Sequence, residues 1–384
     1  MARLVALRLP PGPAFLAELD RAWEAGDAVL PLPVDTPAAD LGRTLATLRP
    51  ARLVHGTGAS DLFDPLEVPD GTALVVATSG STGEPKGVLL TRRALDASVQ
   101  ASIARLGCAP RERWLGVLPV HHVAGITVAL RSRALGVEAD LRPTLDLEHP
   151  SDARWVSLVP TQLVRVLEAG VPDWFPRWVL LGGAAAPAAL LERADAAGLV
   201  VTTSYGMTET CGGCVYDGRP LDGVRVELAD DGRIRIAGAV LASGYHRAPE
   251  RWDEAVSDGW FTTADRGRLL DDGRLEVLGR TDDVVVSGGE NVSTASVAGA
   301  LRSLPEIADA AVVGLPDDEW GEVVGAVVVA AADATVPDVA VVRDRLRERL
   351  PRHALPRRLV VVASIPRDEL GKVPATTLRR LLDG

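Results

Sequence analysis

The chain has 384 residues, of which 47% are hydrophobic and 24% are charged, and its formal net charge is −11. This length predicts two or three domains, and the composition is typical of a soluble globular protein. The negative charge argues against a nucleic-acid partner, which would need a concentrated basic surface. No apolar run is long enough to span a membrane and the N-terminus lacks a signal-peptide pattern, so we expect a cytoplasmic protein without membrane insertion.

Short apolar runs alternate with amphipathic segments over the first two-thirds of the chain. The runs predict buried strands at 73–77, 114–118, 155–159, 178–181 and 200–203, and helices at 161–167 and 188–197. Thr91 is expected to cap a further helix that extends to Arg105. Such alternation indicates a large layered α/β domain with mostly parallel strands, whose ligand loops lie at the carboxyl ends of the strands.

The sequence pattern changes between Asp217 and Leu278. Asp-Asp-Gly turns at 230–232 and 271–273 separate alternating segments, which predicts a small antiparallel β subdomain over 217–278. Beyond it, strands are predicted at 310–313, 323–329 and 359–362, with a helix from Pro337 to Leu350. We place a domain boundary at Asp282, between an N-terminal domain of residues 1–281 and a small C-terminal α+β domain of residues 282–384.

Only two of the 41 basic residues are lysines, Lys86 and Lys372. An ammonium is a compact point charge on a thin stem, whereas a guanidinium is a broad planar fork. Both lysines lie in glycine-bearing segments, which indicates a narrow approach to an anionic group. The loop at 78–87 follows a predicted strand, and its glycines and hydroxyls can surround a polyphosphate. Its glycine spacing differs from that of a Walker A loop, which excludes the P-loop kinases.

Five segments resemble, in family order, the motifs of adenylate-forming enzymes, the superfamily of acyl-CoA synthetases, adenylation domains and luciferases. They are 78–87, 204–209, 259–265, 279–283 and 366–372. The resemblance implies two half-reactions: a carboxylate attacks the α-phosphate of ATP to give an acyl-adenylate and pyrophosphate, and a thiol then displaces AMP. The first step brings two anions together, so it needs fixed positive charge and a metal ion. The implied cofactors are therefore ATP, Mg²⁺ and CoA as co-substrate.

The resemblance also implies the residues that bind the nucleotide. Those around the β- and γ-phosphates would be Thr78, Ser79, Gly80, Ser81, Thr82, Gly83 and Lys86. Those of the adenine segments would be Gly183, Ala184, Ala185, Ser204, Tyr205, Gly206 and Met207. Thr208 would contact the α-phosphate, Glu209 would ligate Mg²⁺, and Asp265 and Arg280 would bind the ribose.

In this superfamily the small C-terminal domain rotates about a hinge, which here corresponds to Asp282. One orientation would present Lys372 to the carboxylate and the α-phosphate during adenylation. The other would present the face that carries Gly288 and Gly289, and would open a tunnel for the pantetheine thiol. Only glycine lets such a chain pass so close to the backbone.

Within the superfamily, segments 118–125, 158–165 and 179–187 are similar to o-succinylbenzoate–CoA ligases of menaquinone biosynthesis. That acid has a second, aromatic carboxylate, which must be paired in a partly dry pocket. Arg131 and Arg165 are the candidate partners, with an exposed helical arginine as the alternative for each. His122 lies where the family has a residue that gates the acyl pocket. Ala124 and Gly213 depart from the expected pattern, because hydroxyls are expected there.

Several alternatives stay open at this stage. The substrate could be another aryl or acyl acid, or the acceptor could be the phosphopantetheine of a carrier protein, and a non-enzymatic relative is a fourth hypothesis. The three cysteines give no disulfide framework, and small residues lining a pocket wall are favoured over a metal or redox role for Cys211 and Cys214. The expected partners are small molecules, and the chain could form a homo-oligomer.

Overall fold

A computed structural model describes the chain over residues 1–79, 85–281, 284–287, 290–367 and 373–383. The fold is mixed α/β, with a large N-terminal and a small C-terminal domain, as predicted. Contacts divide the chain into unit 1, Met1–Glu227 with Arg235–Thr262, and unit 2, Leu228–Ile234 with Thr263–Gly384. The predicted hinge at Asp282 lies outside the described residues, so the division at that position stays a prediction.

The first part of unit 1 alternates strands and helices. In chain order these are β1 (Leu4–Arg8), α1 (Pro13–Glu24), β2 (Ala28–Pro31), α2 (Ala38–Leu48), β3 (Arg52–His55), β4 (Gly58–Asp61), β5 (Thr72–Ser79), β6 (Pro85–Thr91), α3 (Arg92–Leu106), β7 (Trp114–Gly116), α4 (Val123–Ala134) and β8 (Asp140–Leu141). The side chain of Thr91 accepts a hydrogen bond of 3.1 Å from the backbone N–H of Ala94. The predicted cap of the 92–105 helix is therefore confirmed.

The chain continues with a second α/β segment and then with short strands. These are β9 (Trp155–Leu158), α5 (Pro160–Ala169), β10 (Trp178–Leu181), α6 (Ala188–Ala196), β11 (Val200–Met207), a 3-10 helix (Thr208–Thr210), β12 (Gly212–Tyr216), β13 (Arg219–Pro220), β14 (Val224–Leu228), β15 (Arg233–Gly238), β16 (Gly244–His246), α7 (Pro249–Ala255), β17 (Val256–Ser257), β18 (Trp260–Leu269) and β19 (Leu275–Arg280). The predicted strands are confirmed, although β7 and β9 end earlier than expected and β11 continues to Met207.

Unit 1 contains two seven-stranded sheets. The first has the strand order β16-β6-β5-β2-β1-β3-β4, and the second has the order β13-β12-β11-β10-β9-β7-β8. Strands β7 to β11 are parallel, and β12 and β13 add an antiparallel edge. Because β10 and β11 are parallel neighbours, the loop after Leu181 and the end of β11 lie at the same edge of the second sheet.

Helices α3 and α4 connect the two sheets of unit 1. Their apolar side chains, including Leu95 and Ile126, pack into one core with β1, β5 and β6 of the first sheet. On the side of the second sheet, Ser98 donates a hydrogen bond to the Cys211 carbonyl at 3.1 Å. Most residues of α4 are buried, which fits its run of apolar and small residues, and the charged residue Arg131 is among them.

Both predicted Asp-Asp-Gly turns are confirmed. At the first turn the backbone N–H of Ala229 donates to the carbonyl of Arg233 at 2.8 Å, and at the second Leu270 donates to Arg274 at 2.8 Å. Across the second turn, β18 and β19 pair antiparallel, with Asp265 opposite Arg280. The antiparallel character predicted for this part of the chain follows from these short turns.

The C-terminal part of unit 2 is a mixed sheet with helices on both faces, in which all described strand pairs but one are antiparallel. Its elements are β20 (Val284–Ser287), β21 (Glu290–Ser293), α8 (Thr294–Arg302), β22 (Ile307–Asp317), β23 (Gly321–Ala330), α9 (Val339–Leu346), a 3-10 helix (Arg352–Ala354), β24 (Arg358–Val362) and α10 (Ala375–Asp383). Alternate residues of β22 and β23 pack against α8 and α9 on one face and α10 on the other. Burial on both faces explains the nearly continuous apolar runs of these strands.

Helix α9 is shorter than the sequence predicts. We expected a helix from Pro337, but the helix begins at Val339, and the carboxylate of Asp338 accepts from the backbone N–H groups of Ala340 and Val341 at 2.9 and 3.0 Å. An aspartate cap satisfies two helix-end donors, whereas a proline at the first position satisfies none. Among the described helices, none has the length and apolar character that crossing a membrane requires.

Candidate active site

Lys86, Glu209 and Tyr245 form a compact cluster in unit 1. The Nζ atom of Lys86 lies 3.1 Å from Oε1 of Glu209, and the hydroxyl of Tyr245 donates to the same oxygen at 2.8 Å. The ammonium also lies 3.9 Å from the centroid of the Tyr245 ring. The side chains of Lys86 and Glu209 are only 22% and 11% exposed, so water screens this pair weakly.

Strand pairing brings these three residues together. Strand β6 lies between β5 and β16, with Lys86 opposite Thr78 and with Gly87 opposite His246, the neighbour of Tyr245. A Cβ atom at Gly87 would lie 2.6 Å from Val75 Cγ1, so only glycine allows the strands to approach this closely. The close approach of the strands therefore explains why a glycine, Gly87, follows Lys86.

Glu209 is held by its backbone in the 3-10 helix directly after β11. The N–H of Ala242 donates to the Glu209 carbonyl at 2.8 Å, and the hydroxyl of Thr210 donates to the Gly212 carbonyl at 2.7 Å. Gly206, just before this helix, pairs with Gly213 of β12, and a Cβ there would lie 2.1 Å from the carbonyl oxygen of Gly212. A side chain at Gly206 is therefore excluded by backbone atoms.

Tyr245 was not among the residues predicted from the sequence. Burial raises the pKa of its hydroxyl, and the charge of Glu209 and the hydrogen bond to it raise the pKa further, so the phenol stays protonated and donates. Its ring packs edge-on against Trp252 at 5.3 Å, and Trp252 stacks on Phe261 at 5.4 Å. No spacing in the sequence signals this contact, because it depends on the pairing of distant strands.

The segments predicted to surround the adenine lie at one edge of the second sheet. The loop with Gly183, Ala184 and Ala185 follows β10, and Ser204, Tyr205, Gly206 and Met207 end the neighbouring strand β11. Gly183 has a φ of 81°, a conformation that favours glycine. The structure thus brings the predicted adenine segments together with Thr208 and Glu209, which directly follow them in the chain.

Several predicted residues lie outside the part of the chain that the structure describes. Around the phosphates, Thr78 lies on β5 with its hydroxyl 3.5 Å from the Lys86 carbonyl, and Ser79 is paired with Pro85. The residues outside the described ranges are Gly80, Ser81, Thr82, Gly83, Asp282, Gly288, Gly289 and Lys372. Their assignments stay predictions from the sequence.

In unit 2, the two predicted ribose ligands are cross-strand neighbours. Asp265 and Arg280 are directly opposite in the pairing of β18 and β19, and the backbone N–H of Asp265 donates to the hydroxyl of Thr263 at 3.0 Å. The side chain of Arg280 is exposed. A carboxylate and a guanidinium side by side on adjacent strands suit the two hydroxyls of a ribose.

Arg131 is a buried cation in unit 1, with only 5% of the residue exposed. Its guanidinium donates to the hydroxyls of Thr127 at 3.2 Å and Ser157 at 3.4 Å, and it stacks 4.6 Å from the ring centroid of Trp114. Its Nε has no hydrogen-bond partner and, within the described ranges, it forms no ion pair with an Asp or Glu. Burial lowers the pKa of Arg131, a direction that reflects the cost of holding this charge away from water.

The hydroxyl groups that contact Arg131 belong to Thr127 and Ser157, two residues to which the sequence assigned no role. Ala124 and Gly213 lack the hydroxyl groups that the family resemblance leads one to expect there, and the fold explains these two positions in part. A Cβ at Gly213 would lie 2.1 Å from the Ser204 hydroxyl, so a hydroxyl from β11 already occupies the space where a side chain at 213 would begin. Thr127 lies one turn after Ala124 on α4, and its hydroxyl donates to the Ala124 carbonyl and accepts from Arg131.

Arg165, the other predicted substrate ligand, lies in a different environment. It is exposed on α5 and makes no hydrogen bond or ion pair with the described residues. This position matches the exposed helical arginine that the sequence left as an alternative. Of the two candidates, Arg131 is the one that the fold buries.

His122 and its neighbour His121 lie at the beginning of α4, with ring centroids 4.4 Å apart. Burial lowers the pKa of His121 to about 4, with a further decrease from the charge that His122 would carry. Burial also lowers the pKa of His122. Both imidazoles are therefore neutral at pH 7, which avoids the cost of a buried charge.

Two of the three cysteines are buried in unit 1, and Cys108 is partly exposed. Cys211 and Cys214 are both inaccessible to solvent, and burial raises the pKa of each thiol to about 12. Such thiols stay protonated at pH 7, which is the opposite of a reactive cysteine. Among the described residues, no group of three His, Cys, Asp or Glu side chains is arranged to hold a metal ion by itself.

Comparisons with known proteins agree with this geometry. The AMP-binding enzyme family profile matches residues 49–246, and the AMP-binding enzyme C-terminal domain profile matches residues 296–372. A probable 2-succinylbenzoate–CoA ligase of Mycobacterium tuberculosis is 40% identical over 366 residues, which cover 90% of this chain and 94% of that protein. A 2-succinylbenzoate–CoA ligase of Geobacillus kaustophilus is 36% identical over 341 residues, 81% of this chain and 69% of the relative.

Solved structures show the same relationship. The o-succinylbenzoate CoA synthetase MenE of Bacillus subtilis, in complex with the acyl-adenylate intermediate OSB-AMP, superposes with a TM-score of 0.85 at 26% identity, covering 100% of this chain and 88% of that one. Its complex with ATP and a magnesium ion gives a TM-score of 0.84 at 26% identity, covering 100% of this chain and 89% of that one. With two matching family profiles and a 40% identical relative over most of its length, the chain belongs to the AMP-binding enzyme family.

Proposed function

We propose that this protein is an ATP-dependent acid–CoA ligase that converts 2-succinylbenzoate, ATP and CoA into 2-succinylbenzoyl-CoA, AMP and diphosphate in menaquinone biosynthesis, in the cytoplasm. The relatives that cover most of the chain carry this activity in their names. A MenE structure that holds the acyl-adenylate OSB-AMP also shares its fold. The reaction proceeds through an acyl-adenylate, as the sequence motifs imply.

The single observation that carries the choice of acid is the buried guanidinium of Arg131. An arginine that is 5% exposed, and that has no carboxylate partner among the described residues, supports the binding of an anion. The aromatic carboxylate of 2-succinylbenzoate supplies such an anion, and the succinyl carboxylate stays available for activation. A monocarboxylic aryl acid would leave the guanidinium uncompensated, which costs free energy in a dry pocket.

The cluster of Lys86, Glu209 and Tyr245 supports the adenylation half-reaction. The carboxylate of Glu209 is a hard oxygen donor of the kind that Mg²⁺ prefers, and Lys86 adds a positive charge within the same cluster. Mg²⁺, when bound, neutralises phosphate charge and so allows the acid carboxylate to approach. Lys86 can exchange its contact with Glu209 for one with a phosphate oxygen, and Thr208 can donate to the α-phosphate.

The remaining assignments come from the motifs alone. Lys372 would contact the attacking carboxylate and the α-phosphate, Asp282 would be the hinge, and the segment with Gly288 and Gly289 would line the path of the CoA thiol. Lys372→Ala should then nearly abolish adenylation but leave thioester formation from supplied acyl-adenylate almost intact. Equal loss of both steps would contradict domain rotation.

The acid specificity is tested by a panel of three acids. With ATP and CoA, 2-succinylbenzoate should give CoA thioester, whereas 4-oxo-4-phenylbutanoate, which lacks only the aromatic carboxylate, should react with a kcat/KM that is lower by a factor of about 30 to 1,000. Benzoate should be inactive. Equal turnover of 4-oxo-4-phenylbutanoate or benzoate would reject 2-succinylbenzoate as the substrate, and thioester formation only on a carrier protein would reject CoA as the acceptor.

A further inference from the structure

Tyr245 lies at the centre of the charged cluster, although none of the five sequence motifs includes it. Its hydroxyl donates to Oε1 of Glu209 at 2.8 Å, and Lys86 contacts the same oxygen at 3.1 Å. One carboxylate oxygen thus has two donors, one neutral and one charged. Only one of these donors, the ammonium, can leave for a phosphate, because the phenol is part of a packed core.

The position of Tyr245 is set by contacts that do not involve Glu209. The residue is 6% exposed, its ring meets Trp252 edge-on, and its strand β16 pairs with β6, where Tyr245 is opposite Val88. Glu209 is tied to the same region by the hydrogen bond from Ala242 to its carbonyl. The hydroxyl is therefore a fixed donor, and the carboxylate orients itself relative to it.

The face of the Tyr245 ring makes a second contact, with the ammonium of Lys86. A separation of 3.9 Å between Nζ and the ring centroid lies within the range of cation–π attraction. This contact does not depend on the hydroxyl. The two parts of the side chain thus act on different residues: the hydroxyl on Glu209 and the ring on Lys86.

We infer that Tyr245 is a positioning residue that holds Oε1 of Glu209 while Lys86 moves to the triphosphate, so that Oε2 stays directed toward the magnesium of the bound nucleotide. The inference rests on the proposed function, because it assumes that this cluster receives magnesium–ATP. The Tyr245 hydroxyl should therefore affect the dissociation constant for magnesium–ATP much more than the dissociation constant for metal-free ATP.

Calorimetric titration of the full-length protein tests this assignment, with ATP added either in excess Mg²⁺ or in EDTA. Tyr245→Phe keeps the ring and removes the hydroxyl, so its dissociation constant for magnesium–ATP should rise about 10- to 100-fold, as expected when a hydrogen bond that orients a metal ligand is lost. Its dissociation constant for metal-free ATP should stay within about threefold of the wild-type value. Tyr245→Leu also lacks the hydroxyl, so it should show at least the same loss with magnesium.

A matched control is the next residue of the same strand. His246 is buried, and its ring nitrogen lies 3.0 Å from the Leu48 carbonyl, away from the cluster. His246→Gln should therefore keep the wild-type ratio of the two dissociation constants even if it unfolds at a lower temperature. In a Glu209→Gln background, Tyr245→Phe should change the magnesium–ATP constant no further, because the group it orients is gone.

The outcomes separate this inference from the proposed function. If the wild-type protein binds ATP more tightly with magnesium and both Tyr245 variants retain that advantage, the positioning role is wrong and the proposed function stands. Equal weakening of both titrations in Tyr245→Phe would also overturn it, since that result indicates general damage to the fold. If the wild-type protein binds ATP under neither condition, both proposals fail.

Discussion

Two basic residues of unit 1, Lys86 and Arg131, are largely removed from water but have different kinds of partner. Lys86 contacts the Glu209 carboxylate at 3.1 Å, whereas Arg131 contacts two hydroxyls and an indole ring and has no carboxylate partner among the described residues. A buried unpaired charge carries a desolvation cost that hydroxyl groups offset only in part.

The difference between the two residues indicates how each half of the proposed substrate set is recognised. The ion pair of Lys86 and Glu209 is closed in the free protein. In the proposed reaction it would open when phosphate and metal bind, and each member would exchange its partner for a ligand. Arg131, in contrast, retains unused donor capacity, which an anionic ligand completes without breaking any ion pair. Under the proposed function, selection of the acid would depend on the unpaired guanidinium of Arg131.

The largest loss of activity is expected from Glu209→Gln, which breaks the ion pair between Lys86 and Glu209. Glu209→Gln removes the negative charge that the ammonium contacts and the oxygen donor proposed for magnesium. Acid-dependent exchange of diphosphate into ATP should fall by about 10²- to 10³-fold, the usual cost of losing one preorganised electrostatic group. Conversion of supplied acyl-adenylate to the CoA thioester should change much less. Loss of both steps to the same extent would show that Glu209 acts on folding rather than on adenylation.

Arg131→Met tests the unpaired cation. Because truncation of a buried charged partner costs about 2–4 kcal/mol, kcat/KM for 2-succinylbenzoate should fall roughly 30- to 1,000-fold. The variant should lose most of its preference for 2-succinylbenzoate over 4-oxo-4-phenylbutanoate.

The same variant should not destabilise the free protein, because replacement of a buried unpaired charge by an apolar side chain of similar length is neutral or stabilising. Its unfolding temperature without ligand should equal or exceed that of the wild type. A clear decrease in that temperature, together with an unchanged acid preference, would mean that Arg131 serves the fold alone.

Thr127→Val should have a smaller effect, because it removes only one of the hydrogen bonds of the Arg131 guanidinium. The substitution removes the oxygen that accepts from Arg131 at 3.2 Å and keeps the shape of the side chain. The free energy of unfolding should decrease by about 1–2 kcal/mol, because a hydrogen bond to a charged group is lost. In the Arg131→Met background the same substitution should cost less than half as much, and urea unfolding of the four proteins measures the difference. Equal costs in both backgrounds would show that the hydroxyl does not compensate the guanidinium.

The smallest effect concerns His121, which avoids a buried charge by losing its proton. Its pKa falls from 6.5 to about 4 on folding, so between these values the unfolded chain binds more protons than the folded protein. Stability should therefore be complete above about pH 6.5 and should decrease as the pH falls toward 4. The unfolding temperature should drop less between pH 7 and pH 5 in His121→Gln than in the wild type. An identical drop in both proteins would show that His121 does not contribute.

The sequence predicted elements whose signals are local. The cap at Thr91, the two Asp-Asp-Gly turns and the apolar strands were all recognised, because hydrogen bonds within a few residues fix a cap or a turn. The error at α9 has the same origin: Pro337 and Asp338 both suit a helix start, and the aspartate prevails because its carboxylate satisfies two backbone donors.

The motifs also predicted which residues the site would contain. Lys86 and Glu209 are 123 positions apart in the chain, yet the family resemblance of their motifs implied that both belong to one nucleotide site. Lys86 lies on β6 of the first sheet and Glu209 follows β11 of the second, so their contact depends on how the two sheets pack together. The sequence could not choose between Arg131 and Arg165, since both are arginines in segments expected to line the acyl pocket.

By itself, then, the sequence determined the fold class, the family resemblance and the order of the chemical segments, because these depend on local pattern and on residue type. Only the tertiary structure decided that Arg131 is buried while Arg165 is exposed, and that Tyr245 shares an oxygen of Glu209 with Lys86. Burial and contact depend on how distant strands and helices pack against one another, and that packing sets the local dielectric and hence the energy of every charge in the site.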